Sequence, residues 1–140
     1  MATHPAWQAK ANLSDGEILK RAKVATFGDV DVLAWKTESK RVLVIECKDL
    51  SLDQTFGEIA RRLSRYQGLA PDGRRDDPCK HLDRVEELSH NLTSVGEFVG
   101  FAVRQIEGLF VTGREVPMKF DEGLRNKGIR FVPISEVALL

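Results

Sequence analysis

The chain has 140 residues, 42% hydrophobic and 30% charged, with 21 basic and 21 acidic side chains. That length buries roughly two-thirds of the unfolded chain's surface, and the composition excludes a disordered chain. The absence of net charge argues against indiscriminate coating of nucleic acid, but not against a locally basic cleft. Two cysteines, Cys47 and Cys79, make no disulfide framework, so an intracellular, cytoplasmic protein is expected. No apolar run approaches the ~18 residues of a membrane helix, and the N-terminus lacks the pattern of a secretory signal.

In chain order, Pro5 to Leu13 suggests a short helix and Ser14-Asp15-Gly16 a turn. Ile18 to Val24 reads as a first strand, closed by a turn over Thr26 to Asp29. Val30 to Lys36 and Arg41 to Cys47 are apolar, β-branched runs separated by Thr37-Glu38-Ser39-Lys40, the pattern of a β-hairpin. Both faces are apolar, as in central strands of a layered α/β fold. Phe56, Ile59, Ala60, Leu63 and Tyr66 then give one buried helix face, ended by Gly68. Pro71-Asp72-Gly73 and Asp77-Pro78 form a loop. Leu82, Val85, Leu88 and Leu92 mark a second helix opened by Lys80-His81. Ser94 to Glu97 fits a capping box for a third. Ile106 to Thr112 and Ile129 to Ile134 complete the strands, and Phe98, Phe101, Phe110 and Phe131 read as core. The expectation is one α/β domain spanning residues 1–140, with a mixed central sheet.

The hairpin carries charge where a central strand should not. A turn centred between Glu38 and Ser39 sets Leu33 opposite Val44 and Trp35 opposite Val42. It also sets Asp31 opposite Glu46 and Asp29 opposite Lys48, all on one face. Two carboxylates facing each other are destabilising unless a cation lies between them. Mg²⁺ accepts one or two carboxylates plus water and phosphate oxygens. Lys48 shares the face of Glu46, where it would orient or deprotonate a water or stabilise a charged transition state. The plainer alternative is an ion pair at the sheet end.

Gly28-Asp29-Val30-Asp31-Val32-Leu33 followed by Val44-Ile45-Glu46-Cys47-Lys48 resembles the signature of the PD-(D/E)XK nuclease superfamily. Asp31 matches the family's acid, and Glu46 and Lys48 match its Glu-x-Lys. The stretch from Glu46 through Gln67 and Lys80 to Leu88 is similar to nuclease-related domains at the C-terminus of long bacterial proteins. The resemblance implies a restriction-endonuclease-like, three-layer α/β/α fold. It also implies metal-dependent cleavage of DNA with Mg²⁺ (Mn²⁺ substituting) held by Asp31 and Glu46, and a homodimer, since two strands need two cuts. One departure stands out. The family's first helix often adds an acid, whereas Ala6 to Leu13 contains none; Glu17 is the nearest. This suggests a piece of a longer chain.

Around that centre, Asp29, Glu17, Gln54 and Gln67 are supporting candidates, and Arg61, Arg62, Arg65 and Lys80 are candidate DNA contacts. Asp29 also suits a turn or a partner for Lys48, and Asp49 a helix cap. Arg61, Arg62 and Arg65 also suit a solvated helix face. A lone His81 is more often structural, and His4 and His90 show no metal spacing. Cys47, between Glu46 and Lys48, is expected to face the core as an inert thiol. The rival to an enzyme is a catalytically inactive nucleic-acid-binding or assembly module of the same fold; a third reading is a structural domain with a satisfied charge network.

Overall fold

The computed structural model describes residues 7–19, 29–48, 55–67 and 76–140. The fold is mixed α/β, with a five-stranded sheet in the order β1-β2-β3-β4-β5. The elements are β1 (Gln8–Ser14), α1 (Asp15–Leu19), β2 (Asp29–Lys36), β3 (Arg41–Lys48), α2 (Phe56–Arg65), α3 (Asp77–Ser89), α4 (Leu92–Val99), β4 (Gln105–Thr112), α5 (Glu122–Asn126) and β5 (Ile129–Pro133). Strands β1, β2 and β3 pair antiparallel, and β4 and β5 pair parallel. No helix among the described residues is long and apolar enough to cross a membrane. The chain divides into two compact units: Met1–Ile45 with Arg84–Glu107, and Glu46–Asp83 with Gly108–Leu140.

In the first unit the hairpin has the expected register, with Val32 opposite Ile45, Leu33 opposite Val44 and Trp35 opposite Val42. All four residues from Val42 to Ile45 are buried, so this stretch of β3 is covered on both faces. Lys40 closes the turn in left-handed backbone, φ 56°, and its amide reaches the Thr37 carbonyl. The core joins Leu33, Val42 and Val44 to Ile18, Leu19, Leu88 and Val95.

Three local expectations are corrected here. Residues 8–14 form an edge strand and not a helix; of its side chains only Leu13 is buried, and backbone pairing with β2 overrides the weak propensity. Ile18 and Leu19 lie in α1, whereas the rest of the expected Ile18–Val24 strand, like the 26–28 turn, falls outside the described residues. A capping box decides this: the Glu17 amide donates to Ser14 Oγ at 3.1 Å, and the Ser14 amide to Glu17 Oε2 at 2.7 Å. The Ser94–Glu97 box does not form. Helix α4 begins at Leu92, placing Ser94 inside it, and Asn91 spends its side-chain amide on the Glu87 carbonyl at 2.8 Å. At the far end, Gly96 is fixed by space, because an added Cβ would lie 2.8 Å from the Phe101 carbonyl oxygen.

The second unit has an aromatic core. Phe110 and Phe131 stack at 4.7 Å, Tyr66 meets Phe131 edge-on at 6.0 Å, and Met118, Leu124 and Ile129 surround them. Helix α2 starts with a complete capping box between Thr55 and Glu58. Its expected buried face is buried only toward the C-terminal end: Leu63 and Tyr66 reach the core, but Ala60 is exposed and Phe56 is 92% exposed. Gly68 and Pro71 to Gly73 fall outside the described residues. Asp77 and Pro78 form the first turn of α3 instead of a loop, because Asp76 caps that helix by accepting the Cys79 amide at 2.9 Å. Strand β5 stops at Pro133, one residue before its expected end.

Candidate functional site

The last residues of β3 bring Glu46 and Lys48 to one side of the strand, two positions apart. Lys48 Nζ lies 3.3 Å from Glu46 Oε1 and 3.1 Å from Asp77 Oδ2. The other oxygen, Glu46 Oε2, lies 3.5 Å from His81 Nδ1. The four side chains therefore form one line, Asp77–Lys48–Glu46–His81, between β3 and the first turns of α3. His81 is completely buried, with its ring 4.7 Å from that of Phe110. The line runs from a half-exposed carboxylate into the aromatic core.

Helix α3 is held in place through Asp76, which uses both carboxylate oxygens. Oδ1 caps α3, and Oδ2 accepts the Gln67 amide at 3.0 Å just beyond α2. The Gln67 carbonyl in turn accepts Lys127 Nζ at 2.7 Å. Gln67 thus contributes to this region through its backbone.

The electrostatics follow from the packing. Burial by itself would lower the Lys48 pKa, but the hydrogen bond to Asp77 and the charges of Glu46 and Asp77 outweigh it, leaving the pKa above the ordinary lysine value. Lys48 is an ammonium at neutral pH, a source of positive charge and not a base. Burial and the Asp77 charge raise the Tyr66 phenol against the opposing pull of Lys48 and Arg62, so Tyr66 stays neutral.

The remaining expected residues are placed as follows. Asp31 is half-buried on β2 in the first unit, one position before the described β2–β3 ladder begins; Glu46 follows that ladder by one position. The adjacent stretch of β1 carries Asn12 in left-handed backbone, φ 55°, between the pairs Ala11–Val32 and Leu13–Val30. Asp29 is exposed and paired with Ser14 across the strands. Glu17 serves the α1 cap. Arg61 and Arg65 are exposed on α2, Arg62 is half-buried there, and Lys80 is exposed on α3. Gln54 and Asp49 fall outside the described residues. Cys47 is corrected: it is exposed, because the two-sided cover of β3 ends at Ile45. Among the described residues, no group of three or more His, Cys, Asp or Glu side chains is arranged to hold a metal ion.

Two members of the line were missed or underweighted from sequence. Sequence pattern alone gives Asp77 to a loop and leaves His81 a lone histidine. The signal was present, since Asp77 and His81 are four residues apart and share a helix face. Neither the curated proteins nor the solved structures contain a match to this chain. A family model described as "Anti-phage protein Upx-like" matches residues 2–127, so the chain belongs to the Upx-like family of anti-phage proteins.

Proposed function

We propose that this protein is a metal-dependent nuclease of the cytoplasm, with a restriction-endonuclease-like fold, that hydrolyses DNA phosphodiester bonds at a PD-(D/E)XK-type site. The observation that carries the reading is Lys48, an ammonium held between Glu46 and Asp77 at the end of a central strand. An anti-phage family gives such chemistry a target in invading DNA.

The reading requires Asp31 and Glu46 to hold one ion together, as strand alternation in the sequence expects. Their hard carboxylate oxygens suit Mg²⁺, with Mn²⁺ as substitute. Such an ion takes one or two protein carboxylates and fills its remaining positions from water and phosphate, so two carboxylates suffice without a larger cluster. When bound, it supplies Lewis acidity and a more acidic water. The chain's own residues do the rest. Lys48 stabilises the negative charge that grows on the phosphate in the transition state. Asp77 fixes the ammonium, and His81 fixes the carboxylate that Lys48 shares. Arg61, Arg62, Arg65 and Lys80 contact backbone phosphates, and a homodimer would allow both strands to be cut.

Nicking of supercoiled plasmid in Mg²⁺ or Mn²⁺ tests the assignment. Glu46→Ala should abolish nicking and the metal-induced rise in melting temperature; unchanged nicking in that variant would sink it. One observation favours a second reading, a DNA-binding or assembly module without turnover: both Glu46 oxygens already face cations or potential cations of the chain itself. That reading expects DNA binding with no metal-dependent product.

A further inference from the structure

The turn between β2 and β3, in the first unit, gathers positive charge that the site above does not use. Lys36 and Arg41 stand directly opposite each other across the ladder. Both lie over the ring of Trp7, at 5.9 and 5.6 Å. The Lys40 carbonyl accepts the Arg104 amide at 2.9 Å, which brings a fourth cation beside the turn. Lys40 Nζ lies 5.3 Å from the centre of the Phe101 ring.

Like charges paired across strands are destabilising. The chain offsets this only in part. Glu107 pairs with Arg41 at 2.8 Å. Among the described residues, Lys36, Lys40 and Arg104 have no carboxylate partner, and Glu38, exposed in the turn, pairs with none of them. Four cations around one turn, with a single acid engaged, leave a concentrated positive surface. An anion with several charges at short spacing relieves the repulsion of all four together, as a phosphodiester backbone does. A lipid surface fits less well, because the turn itself, Thr37 to Lys40, offers no apolar side chain to insert.

We propose that Lys36, Lys40, Arg41 and Arg104 form a nucleic-acid contact surface that grips the phosphate backbone at the β2–β3 turn. The proposal shares with the nuclease reading only its class of partner, and it requires no metal and no turnover.

The test is fluorescence anisotropy of a labelled duplex oligonucleotide in chelator, over a range of salt, with the full chain. A triple variant, Lys36→Gln with Lys40→Gln and Arg104→Gln, leaves the Arg41–Glu107 pair in place. Each lost phosphate contact lowers the slope of log K against log salt by about 0.9, so the triple variant should lose up to about 2.7 in slope and about tenfold or more in affinity at low salt. Arg114→Gln with Arg125→Gln and Arg130→Gln, three exposed cations elsewhere, controls for net charge, and circular dichroism confirms folding. Affinity and slope unchanged in the triple variant, or reduced no more than in the control, would overturn the proposal. So would a wild type that binds phosphatidylserine vesicles but no oligonucleotide. Loss of binding in the triple variant from a wild type that never nicks plasmid would support this surface and remove the nuclease reading. Unchanged binding beside metal-dependent nicking would do the reverse.

Discussion

The two compact units treat charge differently. In the first, the core of Ile18, Leu33, Val42, Val44, Leu88 and Val95 is wholly apolar, and the cations sit at its rim over aromatic rings. In the second, a line of charged and polar side chains penetrates to a fully buried histidine against Phe110. Burying charge is costly unless each group has partners. The first unit keeps charge out of that apolar cluster, Arg84 being its one buried charged side chain among the described residues, and the second meets the rule by pairing. The lesson is that packing can be optimised freely where nothing polar must be held, whereas an aromatic core beside a charge network must serve both.

Core truncation should separate the two roles most strongly. Phe110→Ala is expected to cost about 3–5 kcal/mol, and Leu33→Ala about 2–5 kcal/mol, in urea unfolding. On the proposed nuclease reading, only Phe110→Ala should also reduce cleavage per folded molecule, because it removes the ring that supports His81. Equal activity in the two variants would break the comparison. Next in size, and on the proposed nuclease reading, Lys48→Met should lower the cleavage rate by about 10²–10³, the usual penalty for losing one preorganised electrostatic group, and should also lower the melting temperature, because Glu46 and Asp77 lose the cation between them. Asp77→Asn keeps the shape of the Lys48 partner but removes its charge. A fall of about 10–100-fold in kcat with little change in KM is expected, and an equal rise in KM would assign Asp77 to substrate binding instead.

The smallest effect lies in pH. Tyr66 and Lys48 both hold their protons to higher pH in the folded chain than in the unfolded one. Unfolding therefore releases protons, and their contribution is fully present below the unfolded values, about 10, and is lost as pH rises through the raised folded values. Tyr66→Phe should make that alkaline loss of stability shallower and leave acid stability alone, as read by melting temperature across pH.

The hairpin was legible because two independent signals agree on it. A polar turn and apolar alternation specify the same register, and a slip of one residue would invert every side chain. Strand β1 was not legible, since Gln8 to Ser14 contains one buried apolar side chain and becomes a strand by pairing with β2. Glu46 and Lys48 were found as charges in an apolar run. Asp77 was hidden by the proline after it, which reads as a loop signal but is equally at home in the first turn of a capped helix. The exposure of Cys47 is not legible, because strand alternation says which face a side chain takes, but not where the covering layer ends.

The Lys40 carbonyl has a consequence for how the first unit assembles. Closing the β2–β3 hairpin is a local event, on the order of microseconds. The same turn then presents the acceptor for the Arg104 amide, far along the chain, where loop-closure entropy makes the meeting slow. The hairpin is thus a prefabricated dock for a late arrival. A substitution at Lys40 that resists left-handed backbone, such as a β-branched residue, would be felt twice: once in the turn, and again in the recruitment of the strand that follows α4.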